Sequence, residues 1–214
     1  MKQRARSDEE KQAKKEIILD AARILFSRNG YQGTTIEMIT DEAHLSPAAF
    51  YLYFKNKTEI YRTLTAMGID ILGKIVMESI MRPDMSPSDK IKGIADAYFT
   101  YFNRHREFYN ITEILHLGQG DFFADLNMVP DLENKATDML KLIASIIQEG
   151  IDTGEFHQVD VWKSAVALWG MIDGVLLLEV KKTTSFVNEP IENLVTQMIT
   201  LVLEGLFTKN AQRK

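Results

Sequence analysis

The stretch TTIEMITDEAHLSPAAFYLYFKNKTEI, residues 34 to 60, carries three helix-start signals in close succession. Thr34 followed three residues later by Glu37 reads as a capping box, with Ile36, Ile39 and Ala43 on one face of a helix of about two turns. Ser46-Pro47 opens a second helix, since serine is a favoured N-cap and proline at the first helical position loses no hydrogen bond. That helix has little room before Asn56 and Glu59 cap a third. Two short helices joined by HLS make a helix-turn-helix, a unit whose second helix can enter the major groove of DNA.

The flanking sequence continues the helical pattern. Upstream, EIILDAARILFSRNGY places apolar residues at 17, 18, 21, 24 and 25, and Asn29-Gly30 supplies the stop. Downstream, Ile60, Leu64, Met67, Ile71 and Ile75 describe one long helix from about 57 to 81, broken by RPDMSPSD. Five further segments follow: Ser86-Pro87 to about Arg104, about 106 to 117, Pro130 to DTGEF, one from Asp160, and one from Glu189-Pro190 to near Phe207. The expected fold is all-α, with about nine helices. Its N-terminal three-helix helix-turn-helix domain spans 1–62, with 1–15 a basic extension, and a helical effector and dimerisation bundle spans 63–214.

Composition narrows the function. With 45% hydrophobic and 26% charged residues, 12 Gly and 5 Pro, the chain suits a helix-rich globular protein. It has no cysteine, which excludes disulfide scaffolds, Cys-ligated zinc and thiol catalysis and fits a cytoplasmic setting. The charged N-terminus lacks the apolar core of a secretory signal. The most apolar stretch, SAVALWGMIDGVLLLE from Ser164, is interrupted by Asp173 and reads as a buried helix rather than a membrane span. The net charge is −5, unevenly placed: through residue 60 there are ten Lys+Arg against nine Asp+Glu, and beyond it 15 against 21. Lys2, Arg4, Arg6, Lys11, Lys14 and Lys15 form the one clearly basic run, either a solvated helix extension or an arm reaching DNA.

The order and spacing of Thr34-Thr35, Ala43-x-Leu45-Ser46, Phe50-Tyr51-x-Tyr53-Phe54 and Lys55-Asn56-Lys57 resemble the DNA-binding domain of the TetR/AcrR family of transcriptional repressors. The resemblance covers about residues 16 to 62. Two positions depart from it: His44 and Ala48 stand where the family usually has glycine. A left-handed backbone at the turn would make His44 carry a conformational cost, and the Ala48 methyl adds bulk where backbone and DNA approach.

The resemblance implies a double-stranded DNA operator as partner, read as a palindrome by a homodimer whose recognition helices lie roughly 34 Å apart. It assigns Thr34 and Thr35 to phosphate at the N-terminus of the second helix, Thr34 being equally readable as a cap. Ser46, Pro47, Ala48 and Ala49 would lie at the groove, with the Tyr51 and Tyr53 hydroxyls on phosphate or base edges and Lys57 on phosphate. Phe50 and Phe54 read as core. Pro47, Ala48 and Ala49 offer no side-chain donor or acceptor, so bidentate base reading there is excluded; thymine methyls, Tyr51 and DNA shape remain, predicting T-rich operator positions.

In the body, aromatics and flexible methionines suit a pocket for a small hydrophobic or aromatic effector, within the helices from about 57 to 153. Its expected wall includes Met77, Tyr98, Phe102, Tyr109, His116, Met139 and Met171, although such residues at helical spacing also build ordinary cores. Asp173 reads as a hydrogen-bonded carboxylate or a ligand anchor. The last two helices, apolar on most faces, predict the dimer surface through Trp162, Trp169, Gly170, Gly174, Leu194, Met198 and Val202. Gly170 and Gly174 either admit a partner helix or make room for an intrachain neighbour.

No cofactor, metal or enzymatic activity is expected. The four histidines are His44, His105, His116 and His157, and no Gly-rich phosphate loop, nucleophile elbow or HExxH occurs. The reading is a ligand-responsive regulator, with effector binding shifting the long helix that carries the head. Two alternatives stay open: a packed interior controlled by a protein partner, and a helical small-molecule binder without DNA function.

Overall fold

A computed structural model of the chain describes residues 2–113, 130–180 and 188–207. Among these residues lie nine helices: α1 (Lys2–Asn29), α2 (Ile36–Glu42), α3 (Pro47–Phe50), α4 (Lys57–Ile80), α5 (Pro87–Arg104), α6 (Arg106–Glu113), α7 (Pro130–Asp152), α8 (Val161–Val180) and α9 (Ile191–Leu206). The end expected near 117 lies outside the described residues, as does His116.

Local chemistry sets most boundaries. Gly30 takes a left-handed φ of 70° after α1, and Gly154 one of 76° after α7, conformations that glycine adopts without a Cβ clash. Ser46 caps α3 by accepting the Ala49 N–H at 3.2 Å. Asn56 Oδ1 accepts the Glu59 N–H at 2.9 Å, and the Glu59 carboxylate reaches back to the Lys55 N–H at 2.6 Å. Ser86 and Asp160 do the same work for α5 and α8, accepting from Asp89 and Lys163.

One expected cap is displaced. α2 is capped by Thr35, which accepts the Met38 N–H at 3.2 Å, and not by Thr34. The Thr34 hydroxyl instead donates to the Gly30 carbonyl at 2.8 Å and is fully buried. This fixes the chain end of α1 and leaves the next threonine extended for capping.

Two compact units divide the chain. The first holds α1 to α3, α4 through Asp70, and α6. Its core gathers Ile18, Ala22 and Phe26 of α1, Ile39 of α2, Phe50 of α3, Phe54, Ile60, Tyr61 and Leu64. α6 joins this unit because Ile111 is buried in the same core, Tyr61 donates its phenolic proton to the Ile111 carbonyl, and Arg23 pairs with Glu107. The compact unit therefore draws on chain beyond residue 62, across a separation no local pattern signals.

The second unit holds α4 from Ile71, α5, α7 from Glu133, α8 and α9. α5 buries Ile91, Ile94, Ala95, Tyr98, Tyr101 and Phe102. Phe156 closes the turn after α7, lying so close over Gly150 that a Cβ there would penetrate its ring. The same turn holds the end of α9, through His157 N–H to the Leu206 carbonyl at 2.9 Å.

Candidate nucleic-acid interface

The surface of the first unit is built on the α2–turn–α3 segment. The turn reverses through Leu45 N–H to Thr40 O at 2.9 Å and His44 N–H to Asp41 O at 3.1 Å. His44 adopts φ = 52°, so the histidine does occupy the left-handed backbone for which glycine is suited. Phe50 and Phe54 are buried in the core as expected, anchoring α3 from behind.

What α3 leaves outside is nearly devoid of hydrogen-bonding side chains. Ser46, Pro47 and Ala48 are exposed and Ala49 is half-buried. Tyr51 is 58% exposed, and Leu52, which the sequence did not single out, is 72% exposed. Its position two residues after the helix, in an apolar run between Phe50 and Phe54 read as core, concealed it. Tyr53 is half-buried against the core. Such a face can press methyl and ring carbons into a groove and offer one tyrosine hydroxyl.

One phosphate assignment is corrected, and a second residue has a structural role as well. Thr34 is fully buried with its hydroxyl committed to Gly30, so the exposed threonine is Thr35. The Lys57 ammonium donates to the carbonyls of Tyr31 at 2.7 Å and Thr34 at 2.6 Å and lies 4.2 Å from the Tyr31 ring centroid. Burial pulls its pKa below the ordinary lysine value. Half-buried Lys57 thus holds α4 to the segment that enters α2, with two of its three N–H donors on these carbonyls.

In the second unit, Tyr98 and Phe102 are buried one turn apart on α5, and Tyr98 donates to Asp173 of α8 at 3.0 Å. Asp173 is therefore a hydrogen-bonded carboxylate. Met139 is half-buried, whereas Met77 and Met171 are each 43% exposed. Tyr109, on α6, is buried and belongs to the first unit.

Within its own chain α8 is buried on one face only, through Ala165, Leu168, Ile172 and Leu176. Its most apolar window is long and apolar enough to cross a membrane by length and composition, and 22% of it is buried within the chain. Trp162, Val166, Gly170, Met171 and Gly174 lie on the exposed side and Trp169 is half-buried. A Cβ added at Gly170 or Gly174 meets nothing within 4 Å, so among the described residues these glycines make room for no intrachain neighbour. On α9, Leu194 and Val202 are half-buried and Leu201 is exposed. Met198 is buried in its own chain, on the Val195–Ile199–Leu203 face, so it is removed from the exposed set.

Among the described residues no three His, Cys, Asp or Glu side chains gather as metal ligands. The fold and surface define a helix-turn-helix DNA-binding protein with a separate helical body. Residues 18–64 match the sequence profile of the bacterial regulatory proteins, tetR family. The chain is 25% identical over 202 residues to the fatty acid metabolism regulator protein of Bacillus subtilis (strain 168), covering 90% of this chain and 95% of that one. The fold is shared with the fatty acid degradation regulator FadR from Bacillus halodurans (TM-score 0.72, 24% identity, 90% of this chain and 95% of that one). It is likewise shared with FadR from Bacillus subtilis in complex with stearoyl-CoA (TM-score 0.69, 22% identity, 89% and 98%). Residues 18–64 thus form a tetR-family DNA-binding domain, and the chain as a whole is similar to transcriptional regulators.

Proposed function

We propose that this regulator is a cytoplasmic homodimeric repressor that occupies a palindromic operator and is released by a hydrophobic effector, with long-chain acyl-CoA the first candidate. The observation that carries the DNA reading is the exposed Pro47–Ala48–Tyr51–Leu52 surface on a capped helix backed by Phe50 and Phe54. Ser46, Pro47, Ala48, Ala49 and Tyr51 meet the groove, with Thr35 and Tyr53 towards phosphate. Thr35 accepts the α2 cap bond through its oxygen and donates its hydroxyl to the Glu37 carboxylate, so reaching phosphate means exchanging that acceptor.

The dimer reading rests on the exposed apolar side of α8 together with Leu201 of α9. Trp162, Trp169, Gly170 and Gly174 fit a close helix approach, flanked by Leu194 and Val202. Such a surface is larger and more apolar than isolated exposed residues need be, and a second copy would also cover the helix whose composition allows a membrane span.

The effector reading is supported by likeness over nine-tenths of the chain to a regulator of fatty acid metabolism. Tyr98, Phe102 and Met139 supply an apolar wall, and the Tyr98–Asp173 pair gives it one polar point. Stearoyl-CoA is titrated into a fluorescent operator complex while unfolding of the free protein is followed by calorimetry. The expected result is loss of anisotropy and a melting temperature that rises with ligand concentration. Retained complex and an unchanged melting temperature across acyl-CoA chain lengths would overturn the acyl-CoA assignment.

A further inference from the structure

The part of α1 that precedes the packed head has a sidedness that folding of the head does not use. Ile18 is the first buried residue of the helix among those described; residues 9–17 are exposed apart from half-buried Lys15. At 100° per residue, Lys11, Lys14 and Lys15 fall within an arc of about 100°, while Glu9, Glu10 and Glu16 fall outside it. The lysine arc is in register with Ile18, Ala22 and Leu25, the stripe by which α1 packs onto the head. The face is apolar where protein covers it and basic where protein ends.

The boundary between the two is occupied by Lys15, whose ammonium lies 5.5 Å from the Phe54 ring centroid. Phe54 closes the segment Tyr51–Leu52–Tyr53 that follows α3. The basic overhang therefore starts beside the residue that closes the segment after α3 and reaches about 14 Å beyond Ile18 to Glu9.

We propose that this lysine face of α1 is a second DNA-contacting surface, taking duplex phosphates that flank the base pairs read by α3. The inference rests on the DNA-binding reading above. Charge complementarity and continuity with that surface select the polyanion: each lysine set on a phosphate releases condensed counterions without reading sequence. Lys11 and Lys14 carry the contact, with Lys15 holding the helix at the head's edge.

The test is a salt titration of a Lys11→Gln/Lys14→Gln variant against wild type. The probe is the duplex returned by selection from a random pool, held once within 40 base pairs and once trimmed to its core. Both substituted residues are exposed, so the melting temperature stays unchanged. The variant's slope of log K against log salt becomes shallower by about 0.9 for each phosphate left without its lysine, up to about 3.6 for a dimer. Affinity falls for strong and weak sites alike, and trimming the flanks weakens wild type more than the variant. Equal slopes, affinities and flank dependence would overturn the proposal while leaving the helix-turn-helix reading intact. Wild type that shows no salt-dependent binding to any duplex would overturn both. An unchanged DNA titration with binding lost to phosphatidylglycerol vesicles would overturn it in favour of a lipid surface.

Discussion

The Lys57 ammonium lies 4.2 Å from the centroid of the Tyr31 ring and donates to the Tyr31 carbonyl beneath it. A second bond to Thr34 O makes this side chain the tie between α4 and the chain entering α2. Lys57→Met would remove the ammonium from the Thr34 carbonyl and leave the Tyr31 carbonyl only the Thr34 N–H, at a cost of about 1–3 kcal/mol. Thermal unfolding by circular dichroism should show a drop of several degrees. A normal melting temperature with a salt slope reduced by about one per lysine would instead make Lys57 a phosphate contact with no structural share.

Tyr61 carries the bond from α4 to the Ile111 carbonyl of α6, and burial, with the neighbouring Tyr31, raises its pKa above the ordinary tyrosine value. The unfolded chain therefore gives up this phenolic proton first. The stability Tyr61 contributes is whole below about pH 10 and is lost progressively above it, as pH rises towards and through the raised folded-state pKa. Tyr61→Phe should be less stable than wild type at pH 7 by about 1 kcal/mol. In urea unfolding the two should converge at alkaline pH; a constant difference from pH 7 to pH 11 would contradict the raised pKa.

His44 holds a φ of 52° on an exposed turn. A left-handed backbone costs a side-chain-bearing residue about 1–2 kcal/mol, and the greater freedom of glycine in the unfolded chain offsets part of any gain. His44→Gly should therefore stabilise the protein by about 0.5–1 kcal/mol, read as a higher urea midpoint at constant m-value. A lower midpoint would mean that the imidazole makes a contact worth more than the strain.

Glycines at different places in the body separate folding from assembly. Gly150→Ala forces a methyl into the Phe156 ring and should destabilise by about 1–3 kcal/mol. Gly170 and Gly174 face open space in the single chain, so Gly174→Arg should leave secondary structure intact and yield a monomer in sedimentation velocity. A dimer of undiminished affinity would place the interface elsewhere.

Helix starts were legible where one residue type decides them: Ser46-Pro47, Asn56 with Glu59, Ser86 and Asp160 each satisfy an N–H three residues on. Thr34 and Thr35 were not separable, because both can cap and the choice is made by the Gly30 carbonyl. Lys57 read as a surface cation since nothing local announces the carbonyls 23 and 26 residues away. The union of α6 with the head depends on Arg23 and Glu107, 84 residues apart. On α9, Met198 and Leu201 are both apolar, and the packing of Val195 and Leu203 determines which is buried.

The central claim is that a dimer reads DNA through a recognition surface that has methyl groups and a tyrosine but no bidentate donor. Selection from a random pool at near-physiological salt, with wild type and Tyr51→Phe side by side, tests it most directly. The account predicts a palindrome with T-rich positions opposite Pro47, Ala48 and Ala49, and an altered preference when the Tyr51 hydroxyl is removed. Strict guanine preference at every major-groove position, unchanged in Tyr51→Phe, would contradict it.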